Sequence, residues 1–254
     1  MTVQVIEGDC MEVMKRMLGE KRRFDMIFLD PPYYEWASSK KPDHVRLAML
    51  TDALLKKHGA VWLCGTIPQL VEDWKYWRIR FRLVAEVVWV KTRGTMAISR
   101  RRPLPAHENI WLLMKRDGKV TKSHLDFTSK PGRKVVRRET WARRGFMRTR
   151  MKPEDRPEEW YEDRGYMLSW MIHRPITPGV PEYVGHPTQK PLKLVKMLVK
   201  HTTREQDWVL DPFAGSGTTL VACKLLNRNC VGIEVNPEYV SMIESRLNQA
   251  GGLV

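Results

Sequence analysis

The chain has 254 residues, 43% hydrophobic and 29% charged, a composition that suits soluble domains with a full buried core. No apolar run approaches the ~18 residues of a membrane span and the start lacks a signal-peptide layout, so no membrane and a cytoplasmic location are expected. The net charge of +15 is concentrated: positions 93–156 hold 19 Lys and Arg against 6 Asp and Glu, a surplus of 13 that points to a polyanion, nucleic acid first.

Val3–Ile6 reads as a short strand ending at Gly8-Asp9, and Cys10–Leu18 has helical spacing, with Met11, Met14, Met17 and Leu18 on one face. Phe24–Leu29 is a continuous apolar run, the pattern of a parallel strand covered on both sides, and it stops at Asp30. A helix is expected over about 46–57, followed by a buried strand over Ala60–Gly65. Val84–Val90 and Asn109–Lys115 read as two further strands around the loop Arg93–Pro105. Across 117–182 periodicity fades and Arg, Trp, Met and Pro dominate, which marks an insertion without an evident core of its own. Regular pattern resumes after His186-Pro187-Thr188-Gln189-Lys190-Pro191, with a helix over Leu192–His201 and a strand over Trp208–Leu210. A helix over Ser216–Leu226 and a strand over Cys230–Glu234 follow, and Asn236-Pro237 caps and opens a last helix. Strands alternating with helices predict an α/β fold with an open, mostly parallel sheet.

In such sheets ligands bind beyond the carboxyl ends of the strands. Four acids occupy those tips: Asp9, Asp30, Asp211 and Glu234. A single acid there often does no more than cap the next helix, but four of them, two flanking the turn Gly215-x-Gly217, point to a ligand site. The dinucleotide fingerprint has a third glycine, and here Leu220 stands in its place. That departure speaks against a pyrophosphate, which needs close helix approach. Glu234 lies 17 residues after Gly217, near the distance of a ribose-binding acid. Cys10, Cys64, Cys223 and Cys230 lack metal-ligand spacing, so reduced thiols and no metal are expected.

Asp30-Pro31-Pro32-Tyr33 and Asp211-Pro212-Phe213-Ala214-Gly215-Ser216-Gly217-Thr218, with the run from His186 to Pro191, resemble the signature motifs of the amino-methylating DNA methyltransferases. The acid-Pro-Pro-aromatic motif comes first, an order similar to the permuted beta class. The resemblance implies a Rossmann-like class I methyltransferase sheet, mostly parallel with one antiparallel edge hairpin. Its catalytic domain spans 1–116 and 183–254, with a basic target-recognition insertion at 117–182. S-adenosylmethionine is the implied cofactor: Asp211 faces its ammonium, and the backbone of Phe213–Thr218, including Gly215 and Gly217, lines the pocket. Thr188 and Lys190 hold the methionine carboxylate, Asp9 takes the adenine amino group beside Cys10, and Glu234 takes the ribose hydroxyls.

An aromatic amine is a poor nucleophile because its lone pair is delocalised into the ring. Acceptors on both N–H bonds, the Asp30 carboxylate and the Pro31 carbonyl, favour a pyramidal nitrogen, with Pro31 and Pro32 fixing the backbone. Asp30 thus adjoins both the methyl donor and the acceptor, and Tyr33 stacks on a base flipped out of duplex DNA. The expected product is N6-methyladenine in a short sequence of double-stranded DNA, because Asp30 resembles the adenine enzymes; N4-methylcytosine is second. Arg100, Arg101, Arg102, Arg137, Arg138, Arg143 and Arg144, with Trp141 and Phe146, are the expected DNA contacts. The family also leaves room for a homodimer and a cognate restriction endonuclease. An inactive nucleic-acid-binding paralogue, a nicotinamide oxidoreductase and an RNA or protein-amide acceptor are the competing readings.

Overall fold

Six buried residues in a row, Phe24–Leu29, form a strand at the middle of the sheet and show why the sequence folds in three layers. Side chains alternate along a strand, so Met26 and Phe28 enter the core on one face while Ile27 and Leu29 enter the core on the other. Both faces being covered, the strand reads as an unbroken apolar run.

The computed structural model describes residues 1–33, 42–92, 105–127, 162–163, 166–167 and 169–250. Its first half comprises β1 (Val3–Glu7), α1 (Cys10–Gly19), β2 (Phe24–Leu29), α2 (His44–Leu54), β3 (Leu55–Gly65), α3 (Ile67–Trp77), β4 (Phe81–Lys91) and β5 (His107–Lys115). The second half comprises β6 (Glu162–Asp163), β7 (Tyr166–Met167), β8 (Trp170–His173), α4 (Leu192–Thr202), β9 (Trp208–Asp211), α5 (Thr218–Leu225), β10 (Asn229–Glu234) and α6 (Pro237–Ala250). One sheet has the order β1-β10-β9-β2-β3-β5-β4-β8, and β6 pairs with β7 apart from it. From β1 to β3 every neighbour is parallel; β5 runs antiparallel to both β3 and β4. Residues of α4, α5 and α6 (Leu194, Leu220, Ile243) pack on one face, and residues of α1, α2 and α3 (Met14, Leu47, Trp77) on the other. No helix among the described residues is long and apolar enough to cross a membrane.

The fold class matches the expectation, and the differences have local causes. The helix expected to reach position 57 stops at Leu54, and β3 starts at once, with Leu55 opposite Phe24. The register then shifts, Met26 pairing with Ala60, and Gly59 passes close to β2, where a Cβ would lie 2.7 Å from the Asp25 carbonyl oxygen. No element was expected over Ile67–Trp77, although Ile67, Leu70, Val71, Trp74 and Trp77 recur at helical spacing and Pro68 stands in the first turn; the face that α3 buries adds polar Gln69 and Asp73 to Leu70 and Trp77. The antiparallel hairpin is present, and β8 lies outside it, parallel to β4. Residues 170–173, within the span expected as an insertion, therefore belong to the sheet, and Met171 is buried in its core. The loop expected at Arg93–Pro105 lies almost wholly outside the described residues.

The missing third glycine of the turn is compensated across the interface. Leu220 of α5 lies over Gly232 of β10, where a Cβ would come within 2.6 Å of the Leu220 Cδ1. The strand, not the helix, supplies the room for close packing. Gly232→Val should overpack this contact and cost about 1–3 kcal/mol, measured as a lower urea midpoint with an unchanged slope.

Candidate active site

Because β1, β10, β9 and β2 are adjacent and parallel, the residues at their carboxyl ends share one edge of the sheet. Asp9, Glu234, Asp211 and Asp30 stand there, and all four line a single cavity of about 370 Å³. Cys10, Phe28, Pro32, His186, Thr188, Lys190, Phe213, Gly215 and Thr218 complete much of its wall. With Asp30 paired to Lys190, the carboxyl groups of Asp9, Glu234 and, once ionised, Asp211 give the cavity a field that favours a cation and disfavours a phosphate.

Each acid is held differently. Asp9 caps α1, its Oδ1 accepting from the backbone N–H of Met11 and Glu12 at 2.9 and 3.1 Å. Glu234 braces the glycine turn: Oε2 accepts from Gly215 N–H at 2.8 Å, and Oε1 from Val235 and Asn236 N–H at 3.0 and 2.9 Å. Three of its roughly four lone-pair directions are thus taken by backbone donors. Asp211, only 2% exposed, accepts from Phe213 N–H at 3.0 Å. Burial pushes its carboxyl up to about 7; the Thr219 hydroxyl and the Phe213 N–H pull the other way, and the charges of Asp30 and Glu234 add to the rise. The folded chain therefore keeps a proton that an ordinary aspartate sheds near 3.8, and on this group's account stability falls as pH climbs from about 4 to 7. Burial, with the charge of Asp9, likewise lifts the Cys10 thiol to about 11 and keeps it protonated.

Asp30 belongs to a second, charge-paired cluster. Lys190 Nζ lies 2.6 Å from Asp30 Oδ2 and 3.3 Å from Glu108 Oε2, and Lys91 Nζ lies 2.6 Å from Glu108 Oε1. The Tyr33 hydroxyl sits 3.2 Å from Asp30 Oδ1 and 3.1 Å from Glu108 Oε2, and its single proton serves one of them at a time. Burial, then the charges of Asp30 and Glu108, hold the phenol well above its usual range. Burial alone would raise Glu108, yet Lys190 and Lys91 overcome it and hold its carboxyl at about 2. Burial opposes the Lys190 charge, but Asp30 and Glu108 outweigh it and raise the ammonium above its ordinary value.

The backbone of Lys190 is fixed by its neighbours. Thr218 Oγ1 donates to the Lys190 carbonyl at 3.2 Å, and Gln189 Nε2 donates to the Glu182 carbonyl at 2.7 Å. Arg246 Nη1 ties α6 to the same turn, donating to the Ser216 carbonyl at 3.0 Å and Thr218 Oγ1 at 2.9 Å.

Most residues expected from the sequence therefore converge, with three amendments. Gly217 is not part of the cavity wall: at φ +74 it opens α5, and a Cβ there would meet Ile243 Cγ1 at 2.8 Å, so its role is in packing. The Lys190 ammonium is engaged by Asp30 and Glu108. The Tyr33 hydroxyl is tied into that cluster, the residue as a whole being half-buried. Pro31 is buried, Pro32 exposed on the cavity, and His186 packs on Gly215 with its ring 4.6 Å from the Tyr239 ring, burial pushing the imidazole below its ordinary value. Arg100, Arg101, Arg102, Arg137, Arg138, Arg143 and Arg144 lie outside the described residues.

Glu108 and Lys91 are functional candidates that the sequence motifs do not mark, because the acids of those motifs all lie at or just past the ends of strands. Glu108 stands at the start of β5, and because β5 is antiparallel its beginning shares an edge with the ends of β2, β3 and β4. An acid opening an antiparallel strand was the signal available.

With this geometry in hand, comparison with known proteins is specific. The family model N6_N4_Mtase, described as DNA methylase, matches residues 24–245. The chain is 26% identical over 269 residues to the type II methyltransferase M2.DpnII of Streptococcus pneumoniae, covering 96% of this chain and 88% of that protein. It is 26% identical over 257 residues to the DNA adenine methyltransferase YhdJ of Escherichia coli K12, covering 97% and 83%. The crystal structure of the M1.HpyAVI–SAM complex superimposes with a TM-score of 0.69 at 23% identity, covering 97% of this chain and 100% of that one.

Lys190→Met should leave Asp30 and Glu108 facing each other and cost about 3–5 kcal/mol at pH 7, read by urea unfolding. Glu108, held low in the wild type, contributes stability that is complete above about 4.5 and lost as pH falls toward 2. The deficit of the variant should therefore narrow below pH 4.5; a pH-independent deficit would show that the lysine acts by packing alone.

Proposed function

The chain belongs to the N6/N4 DNA methylase family, and we propose that it transfers a methyl group from S-adenosylmethionine to the exocyclic N6 of adenine in double-stranded DNA. One observation carries the reading: Asp30 and Gly215 of the glycine turn, 185 positions apart in the chain, open on the same cavity. The acid-Pro-Pro-aromatic motif precedes the glycine turn, the order of the permuted beta class.

The cavity fits the donor. It is anionic, it falls within the usual size of a small-molecule site, and Asp211 has no ion-pair partner among the described residues. Asp211 would meet the ammonium of the methionine moiety, Thr188 its carboxylate, Asp9 the adenine amino group, and Glu234 one ribose hydroxyl through its remaining lone pair. Cys10 and Phe213 would flank the nucleoside. When bound, S-adenosylmethionine supplies an electrophilic sulfonium methyl, and the C–S bonding pair returns to sulfur as the amine lone pair makes the N–C bond.

The protein's part is to hold the amine. Asp30 and the Pro31 carbonyl would accept its two N–H bonds, which favours a pyramidal, nucleophilic nitrogen, and the surplus proton is afterwards lost to solvent. Tyr33, its hydroxyl anchored, would offer a ring face to the flipped base. Positioning and polar preorganisation suffice, with no covalent intermediate. Adenine is favoured over cytosine by aspartate at position 30 and by the naming of the relative YhdJ. The basic span at 117–182 would meet the duplex, and a second copy of the chain and a cognate endonuclease are the further partners this reading allows.

Asp30→Ala should reduce methyl incorporation into DNA to background while S-adenosylmethionine binding stays within about tenfold; retained transfer would remove Asp30 from the chemistry. Cofactor binding should also depend on pH. Asp211 must ionise to hold an ammonium, so affinity should rise up to about pH 7, then fall as the ligand's own α-amino group loses its proton near 7.7–8.0. Asp211→Asn should bind more weakly and lose the acidic limb, measured by calorimetry across pH 5.5–8.5. A flat wild-type profile would contradict the ammonium assignment.

A further inference from the structure

Glu108 and Lys91 have no role in the mechanism above, yet both are built into the cluster that holds Asp30. The charges pair off twice: Lys91 with Glu108 at 2.6 Å and Lys190 with Asp30 at 2.6 Å. Glu108 has its own lysine, so charge balance does not require it to face Lys190. It nevertheless places Oε2 only 3.3 Å from the Lys190 ammonium, a second seat beside the first. The Tyr33 hydroxyl, 3.4 Å from Nζ, adjoins both seats.

We propose that Glu108 is a positioning residue that receives the Lys190 ammonium when the acceptor amine engages Asp30. The inference rests on the methyl-transfer reading. As the N–C bond forms, the amine nitrogen gains positive charge against the Asp30 carboxylate. A lysine ammonium on that same carboxylate opposes the new charge, and the opposition weakens once the ammonium sits on Glu108. Total charge in the cluster does not change during the move. Before the amine arrives, Lys190 supplies the counter-charge that the partly buried Asp30, close to Glu108 and Asp211, needs. Only the tip of Lys190 has to travel, because its carbonyl stays bonded to Thr218 Oγ1 while the stem can rotate.

Single-turnover methylation of DNA with labelled S-adenosylmethionine, comparing wild type, Glu108→Gln and the double variant Lys91→Met/Glu108→Gln, tests this. Glu108→Gln should slow transfer about 10- to 100-fold, less than loss of a group touching the developing charge itself, with cofactor affinity nearly unchanged. The double variant removes one charge of each sign, so it should regain thermal stability and remain slow. Wild-type rates in either variant would overturn the proposal and leave Glu108 as the counter-ion of Lys91. A crystal structure of the wild type with a cofactor analogue and a flipped adenine needs no variant. Lys190 Nζ nearer to Glu108 than to Asp30 supports the proposal, and Nζ still on Asp30 overturns it. The wild-type rate in the same assay tests the methyl-transfer reading separately.

Discussion

The contact on which the site depends is the Lys190 ammonium set between Asp30 and Glu108, at 2.6 and 3.3 Å. It joins three stretches of chain that share no sequence neighbourhood: the end of β2, the start of β5 and the segment leading into α4. Each carboxylate is largely withdrawn from water, and neither would be tolerated beside the other without a cation. The lysine therefore fixes the position of the catalytic candidate and links it to the glycine turn, since the same residue accepts a hydrogen bond from Thr218 through its carbonyl.

The rest of the site follows from sheet order. Parallel strands converge at their carboxyl ends, so any acid placed there adds to one field. Glu234 offsets part of the cost by bracing backbone N–H groups, Asp9 by capping a helix, and Asp30 by pairing with Lys190. Asp211 has none of these charge-assisted relations beyond one backbone donor and a hydroxyl, and its carboxyl is raised to about 7. A buried acid left in that state is suited to a cationic ligand, which restores the missing charge. The packing beneath is equally specific: Gly232 gives Leu220 the space that a glycine in the helix would otherwise provide.

Much of this was legible in the sequence because each signal was local. An apolar run ending in an acid marks a strand tip, and Gly215-x-Gly217 marks the turn after β9. What stayed hidden depends on contacts between distant elements. Gly217 looked like a cavity wall but faces Ile243, a neighbour that only the docking of α6 supplies. Glu108 was passed over because the direction of β5 decides which end of the strand meets the cavity, and direction is not written in hydrophobic periodicity. In α3 the helical spacing of Ile67, Leu70, Val71, Trp74 and Trp77 was there to be read, but the inward placement of polar Gln69 and Asp73 was not.

The edge where Asp30 and Asp211 meet is built to deliver a methyl group to an adenine amine. Incubation of the protein with labelled S-adenosylmethionine and unmethylated genomic DNA, followed by nucleoside mass spectrometry, tests it most directly. Labelled N6-methyladenine is the expected product. Labelled N4-methylcytosine would contradict the choice of base, and DNA without label from a protein that binds the donor would contradict the account of the acceptor.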